Sequence, residues 1–122
     1  MNPIEACTNF VTKCFDFSSR ASRTEYWWAI IMPVIAWVFI IYAVDALEAN
    51  DITPIGLWLP FLVIFMIIAN ISLQVRRLHD VGRSGWWLLL NFTGIGLIPL
   101  LFWFLSRGVE GRNRFGDDPQ MR

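Results

Sequence analysis

Charged residues are scarce in this sequence. They make up 16% of the 122 residues, whereas a water-soluble domain carries about 25%. The deficit is concentrated in long apolar stretches, and 56% of the chain is hydrophobic. This composition is typical of membrane proteins, and the length suits a single domain spanning residues 1–122.

An excess of basic charge is also lacking. Ten Lys and Arg residues are balanced by ten Asp and Glu residues, so the formal net charge is zero. A nucleic-acid-binding protein needs a basic face that displaces counterions from the phosphate backbone. No nucleic acid is therefore expected as a partner.

Metal ligands are few as well. The chain has one histidine and two cysteines, too few for a zinc site, and we predict neither a metal nor a cofactor. Cys7 and Cys14 fall two turns apart on one face of a predicted helix, with Cα atoms about 10 Å apart. That separation exceeds the reach of a disulfide.

The periodicity of apolar residues predicts an amphipathic helix followed by three hydrophobic segments. Residues 3–17 have a helical period, and we expect this helix to lie in the membrane interface. Its predicted apolar face comprises Ile4, Cys7, Val11, Cys14 and Phe15. Residues 26–44, 55–75 and 86–105 carry no charge and are long enough to cross a bilayer as helices. With a polar tail at 106–122, the predicted fold class is an all-α integral membrane protein.

The basic residues predict the orientation of the first two spans. Lys13, Arg20 and Arg23 precede the first span, and the connector 45–54 contains acids but no base. The connector 76–85 contains three arginines. By the positive-inside rule, the N-terminus and residues 76–85 are expected in the cytoplasm.

The third segment admits two topologies. Four arginines lie in the tail, which a third complete span would place outside the cell. If residues 86–105 instead enter the membrane and return, every basic residue is cytoplasmic, and Gly94, Gly96 and Pro99 suit such a bend. A turn at membrane depth must, however, be buried in protein or wetted. Because early segments weigh more in the rule, three spans are favoured over the re-entrant hairpin.

Three amide side chains lie within the hydrophobic segments. Asn70, Gln74 and Asn91 are predicted at similar depth below the cytoplasmic surface. Their expected role is a hydrogen bond between helices, worth about 0.6 kcal/mol. A polar step in a permeation path is the less favoured interpretation, since a few amides are little to build a path from.

The connector 76–85 has the highest density of charge in the chain. His79 and Asp80 suggest an acid–base pair, but neighbours in sequence do not face each other on a helix, and we assign no catalytic residue. Arg76, Arg77 and Arg83 suit recognition of phosphate on an anionic lipid or a soluble ligand. The favoured interpretation is structural, with the arginines fixing the loop inside the cell and the following tryptophans fixing its depth.

Three blocks of the sequence carry a family resemblance. SRASRTEYWW, VRRLHDVGRSGWW and GVEGRNRFGDDP resemble the small bacterial inner-membrane family known as domain of unknown function 805. The likeness covers nearly the whole chain, although Ser19 stands where the family usually has glycine. The signature positions it implies are Arg20, Arg23, Glu25, Tyr26, Trp27, Arg76, Arg77, Leu78, His79, Asp80, Arg83, Ser84, Gly85, Trp86, Gly108, Gly111, Asn113, Gly116, Asp118 and Pro119. The resemblance implies a multi-pass protein of the bacterial cytoplasmic membrane and almost nothing about activity.

The signature residues suggest a structural role. If the tail is cytoplasmic, the arginines and the acids Glu25, Asp80 and Asp118 are expected to pair in one network that holds the helices in register. The predicted function is a non-enzymatic accessory or scaffold subunit of a membrane complex, formed as a homo-oligomer or with larger partners and in contact with anionic lipid. The alternatives are a small oligomeric channel for an anionic solute and, less favoured, an enzyme acting on lipid headgroups.

Overall fold

The computed structural model describes residues 2–48 and 54–119, so part of the acidic connector and the last three residues of the tail lie outside the described residues. The helices, in chain order, are α1 (Pro3–Thr12), α2 (Arg23–Glu48), α3 (Pro54–Asp80), a 3₁₀ helix (Gly85–Thr93) and α4 (Leu97–Leu105). All the regular secondary structure in the described part of the chain is helical, apart from one isolated β-bridge, in agreement with the predicted all-α class.

Two helices are long and apolar enough to cross a membrane. They cover Arg23–Leu47 and Leu57–Asp80, with 25 and 24 residues. A helix of this length extends about 36 Å, more than the roughly 30 Å of a bilayer core. Ser22 starts α2, because its hydroxyl oxygen accepts a hydrogen bond from the Glu25 amide at 3.2 Å, as expected of an N-cap residue. The first two predicted segments are therefore helices, and each extends beyond its predicted bounds.

The N-terminal helix is shorter than predicted and presents a different face. Asn2 caps it by accepting a hydrogen bond from the Glu5 amide at 2.7 Å, and it ends at Thr12 rather than at residue 17. Ile4 and Phe15 of the predicted apolar face are exposed. The buried residues of the helix are Ala6 and Phe10, and Cys14 of the predicted face is buried just after the helix ends. The prediction of the face was wrong because this short helix has apolar residues on more than one side, and packing against α2 and α3 selects among them.

The segment 86–105 is not one continuous helix. After the 3₁₀ helix the chain turns at Gly94, where φ is +75°, and returns as α4. The rings of Trp87 and Trp103 meet with centroids 5.4 Å apart, and Arg77 at the end of α3 binds carbonyls at the end of α4. Both ends of the segment lie at the same end of α3. The segment therefore has the form of the alternative hairpin rather than of one continuous helix.

The core lies where the first turns of α2, the last turns of α3 and the end of α4 meet. Tyr26 stacks on Phe104 there, with ring centroids 4.8 Å apart. The buried apolar residues are Ala6, Phe10, Cys14, Ala21, Tyr26, Ala29, Ala69, Leu73, Leu78, Leu100 and Phe104. At the other end of the bundle the long helices are largely exposed, and the most apolar stretch of α2 has no buried residue.

Candidate functional site

The last turn of α3 brings three charged side chains into the interior. Arg76 and Arg77 are completely buried, and Asp80 is 1% exposed. Arg77 and Asp80 are three residues apart and therefore share one face of the helix. Burial of unpaired charge is costly, so each of these groups needs a partner.

Asp80 is the acceptor for two arginines. Its Oδ1 accepts hydrogen bonds from Arg20 Nε at 3.1 Å and Arg20 Nη2 at 2.9 Å. Its Oδ2 accepts from Arg77 Nη1 at 2.5 Å. Arg20 thus binds with two donors to one carboxylate, and charge-assisted bonds of this kind are the stronger ones in proteins.

The other donors of the two arginines bind backbone carbonyls. Arg20 donates to Gly111 O at 2.6 Å and to Val109 O at 2.5 Å, and so holds the tail. Arg77 donates to Phe104 O and Ser106 O, where α4 ends and its last carbonyls lack helical partners. The backbone amide of Val109 donates in turn to Asp80 O at 2.8 Å.

A second ion pair links α3 to the first turn of α2. Arg76 Nη1 donates to Glu25 Oε1 at 3.1 Å, and the Glu25 side chain is 3% exposed. The Ala21 amide donates to Arg76 O at 3.0 Å. Arg76 Nε and Nη2 are buried without a hydrogen-bond partner among the described residues. Because unsatisfied buried donors are costly, this pair specifies how α2 meets α3 more than it stabilises their contact.

His79 and Asp80 do not form an acid–base pair. His79 Nδ1 lies 3.1 Å from Ser19 O, and since a carbonyl only accepts, Nδ1 carries the hydrogen. The ring stacks on Phe115 with centroids 4.0 Å apart and planes 3° apart. The Asn113 side chain donates to His79 O at 2.9 Å. His79 thus joins the loop before α2 to the tail.

The tail is folded rather than extended. Asn113 and Gly116 form a β-bridge, with backbone hydrogen bonds of 3.0 and 3.1 Å. Asp118, 6% exposed, accepts a hydrogen bond from the Gly111 amide at 3.1 Å. A Cβ atom at Gly108 would lie 2.0 Å from Asp80 Oδ2, so only glycine allows the chain this close to Asp80. Pro119 ends the described residues.

The buried cluster comprises the charged residues Arg20, Glu25, Arg76, Arg77, Asp80 and Asp118. Four signature residues lie outside it. Arg23 is exposed and donates to Leu105 O at 3.2 Å. Arg83 lies over the rings of Trp87 and Trp103 at 5.9 and 5.0 Å. Trp86 is 79% exposed. The Trp27 ring meets Tyr26 edge-on at 5.3 Å.

Two further signature residues shape the start of the hairpin. Ser84 caps the 3₁₀ helix, because its hydroxyl oxygen accepts from the Trp86 amide at 3.4 Å. Gly85 packs against α3, where an added Cβ would lie 2.9 Å from Val75 Cγ1. Of the three arginines suggested for phosphate recognition, Arg76 and Arg77 are buried in ion pairs and only Arg83 is exposed.

The three intramembrane amides are not joined. The Asn70 side chain donates from Nδ2 to Met66 O of its own helix at 2.9 Å. Gln74 is half-buried, and Asn91 is exposed on the 3₁₀ helix. Hydrogen bonding to the carbonyl four residues earlier satisfies an amide within a single helix.

Sequence reasoning missed two residues that hold the loop between α1 and α2. Ser72 Oγ, fully buried, lies 2.8 Å from Lys13 O and 2.6 Å from Asp16 O. The Asp16 carboxylate accepts hydrogen bonds from Ser18 and Ser19. Partial burial opposes its ionisation, but these bonds hold the pKa of Asp16 below its usual range. The run Asp-x-Ser-Ser is a turn signal that would have identified Asp16.

Groups of His, Cys, Asp and Glu suited to metal binding are absent from the described ranges 2–48 and 54–119.

The comparisons with known proteins agree with the three-block pattern. The family model described as "Protein of unknown function (DUF805)" matches residues 14–117.

Two named relatives cover most of the chain. The inner membrane protein YhaI of Escherichia coli strain K12 is 40% identical over 110 residues, which is 85% of this chain and 86% of the relative. The inner membrane protein YhaH of the same strain is 33% identical over 112 residues, 86% of this chain and 88% of that relative. No solved structure matches.

Proposed function

The chain belongs to the DUF805 family of proteins of unknown function, and we propose that it is a non-enzymatic accessory or scaffold subunit of a membrane complex. It is an inner-membrane protein, as are its relatives by name, and it has two helices suited to crossing the bilayer. The proposed role depends on the polar end of the bundle, where the loop before α2, the end of α3 and the tail meet.

The observation that carries the proposal is that the charges of the buried cluster are balanced within the chain. Its arginines Arg20, Arg76 and Arg77 face acids on the same chain, and Glu25, Asp80 and Asp118 bring the formal charge to 3 − 3 = 0. The side chains bind one another and the backbone of three separate segments. Apart from Arg76 Nε and Nη2, no buried side-chain donor or acceptor of the described residues lacks a partner. A group bonded in this way suits a structural role, in which it holds the segments together.

The long helices supply the surface for partners. Phe39, Tyr42 and Trp58 are each more than 70% exposed. Lipid covers such a surface at no hydrophobic cost, and helices of another subunit cover it equally well by close packing. A rigid polar end with an open apolar face suits a subunit that is held in a larger assembly.

The proposed topology follows from the same contacts. The loop before α2, the end of α3 and the tail meet at one end of the bundle, and the nine arginines and lysines of the described residues lie in these parts or within three residues of them. We place that end in the cytoplasm by the positive-inside rule. The segment 86–105 then enters the membrane as a re-entrant hairpin, and α1 lies beside α2 at the interface.

The alternatives have less support. A channel for an anionic solute would need basic groups open to the solute, yet Arg76 and Arg77 are neutralised by acids in the interior. An enzyme acting on headgroups would need His79 and Asp80 to act together, yet each binds a different partner.

Native mass spectrometry of the mildly solubilised protein tests the proposal. We expect it to co-purify with larger membrane subunits at a fixed ratio, and the ratio should persist in the surface variant Asp117→Asn. Isolation solely as a homo-oligomer that conducts anions in liposomes would contradict the proposal and favour the channel.

A further inference from the structure

A groove of about 430 Å³ lies between the loop before α2, the end of α3 and the 3₁₀ helix. Its walls are mostly apolar and include Phe17, Ile71, Trp86 and Leu89. Ile71, Trp86 and Leu89 are also exposed, so the groove is continuous with the apolar surface of the bundle. His79 lies at its polar end.

His79 offers this groove one unpaired hydrogen-bond acceptor. The residue is 6% exposed, its Nδ1 faces Ser19 O, and one face of its ring is covered by Phe115. The ring hydrogen-bonds to the backbone of Ser19 and of Ser18, and none of the hydrogen bonds found among the described residues is assigned to Nε2. With the hydrogen on Nδ1, the neutral ring presents Nε2 as an acceptor. The fixed ring therefore suits a ligand that carries an N–H or O–H donor.

Charges of both signs lie beside this acceptor. Asp16 and Arg114 are close enough to act electrostatically on the His79 ring, the first as an anion and the second as a cation. The Arg114 guanidinium lies 4.6 Å from the centre of the Phe115 ring that stacks on His79. A molecule that complements this end carries a cationic donor and an anionic group close together, followed by an apolar tail.

We propose that the groove binds one phospholipid whose headgroup is a primary amine, of the phosphatidylethanolamine type. The ammonium donates to His79 Nε2 near Asp16, the phosphate faces Arg114, and an acyl chain lies along Ile71 and Trp86. A choline headgroup has the same charges but no N–H, so it cannot make the bond to Nε2. This site is independent of the accessory function proposed above.

The test is lipid retention, measured by native mass spectrometry of the whole protein released from nanodiscs. The nanodiscs contain equal amounts of phosphatidylethanolamine, phosphatidylcholine and phosphatidylglycerol with identical acyl chains. We expect one retained lipid per chain, with the amine preferred over the choline by roughly tenfold, the effect of one charge-assisted hydrogen bond. Equal retention of amine and choline lipids, or a preference for the glycerol lipid, would overturn the proposal.

A matched pair of variants locates the site. Ile71→Trp fills the groove without touching His79, and we expect it to abolish the preference for the amine lipid. Ile67→Trp adds the same ring one turn earlier on α3, at a residue that is exposed and outside the groove lining, and it should leave the preference unchanged. If both variants retain the lipid equally, the lipid lies elsewhere and the proposal is wrong.

Discussion

At the residue scale, Asp80 is the acid that binds two of the buried arginines. Its carboxylate binds Arg20 and Arg77, its carbonyl accepts from the Val109 amide, and Gly108 packs directly against it. The carboxylate thus joins the loop before α2 to α3, and the backbone carbonyl joins α3 to the tail. Removing its charge therefore leaves two arginines buried without full compensation.

We predict that Asp80→Asn lowers the free energy of unfolding by about 3–5 kcal/mol, the usual cost of breaking a buried ion pair. The measurement is equilibrium unfolding in detergent micelles. The control is Asp117→Asn, which removes an ion pair of 3.7 Å with Arg112 whose side chains are 82% and 85% exposed. This control should cost less than about 1 kcal/mol. Equal losses in the two variants would contradict the account.

The pair of Arg76 and Glu25 has a different prediction, because Arg76 leaves two donors unsatisfied. Arg76→Met and Glu25→Met should each destabilise the protein by about 3–5 kcal/mol, since each strands a buried charge. The double variant should be close to the original in stability, or exceed it, because an apolar pair needs no desolvation of charge. A double-mutant cycle in micelles measures this, and additive losses would refute it.

The sequence predicted much of the polar cluster and little of its detail. Opposite charges in three blocks indicated that arginines would pair with acids, and Glu25 and Asp80 do so. The choice of partners depends on which residues the chain brings within 3 Å, and the spacing along the sequence does not contain that information. The role of His79 was missed because its partners are a backbone carbonyl and a ring some 35 residues further along the chain.

At the element scale, the hairpin of the 3₁₀ helix and α4 depends on a close approach at its turn. A Cβ atom at Gly96 would lie 2.1 Å from Leu90 O and 2.5 Å from Leu90 Cβ. At Gly94 an added Cβ meets nothing within 4 Å, although φ is +75°. Gly96 is therefore needed for close packing, and Gly94 is needed for the positive φ that turns the backbone.

We predict that Gly96→Ala opens the hairpin and separates Trp87 from Trp103. Gly94→Ala is the control and should cost only the strain of a left-handed residue, about 1–2 kcal/mol. The readouts are thermal unfolding in detergent and the near-UV circular dichroism of the tryptophan pair. Gly96→Ala should reduce both by more than the control does. An unchanged tryptophan signal in Gly96→Ala would show that the turn is not packed in this way.

Element types were more predictable than element arrangement. Long apolar runs identify α2 and α3, because few structures other than a membrane helix accommodate them. The face of α1 was wrong because Ile4 and Ala6 are both apolar, and the period does not choose between them. The sequence analysis favoured three spans over the hairpin, although the arginines of the tail and the glycines at 94 and 96 both indicated the hairpin. The stability of the hairpin depends on contacts between its own two helices and with α3, which a hydropathy pattern does not describe.

At the scale of the whole molecule, charge and apolar surface are segregated. The loop before α2, the end of α3 and the tail form one polar end that is closed by ion pairs. The opposite part of the bundle exposes long apolar helices. This arrangement requires that the tail return to the side on which the chain's N-terminal loop lies, and this return is the central claim.

Site-directed labelling with a membrane-impermeant maleimide tests that claim most directly. Single cysteines are placed at the exposed positions Ser18, Arg107 and Ala46, in a chain whose Cys7 and Cys14 are replaced by alanine. Right-side-out and inverted inner-membrane vesicles are compared. We predict that the cysteines at 18 and 107 react in the same type of vesicle and the cysteine at 46 in the other. Labelling of position 107 together with 46, and opposite to 18, would contradict it.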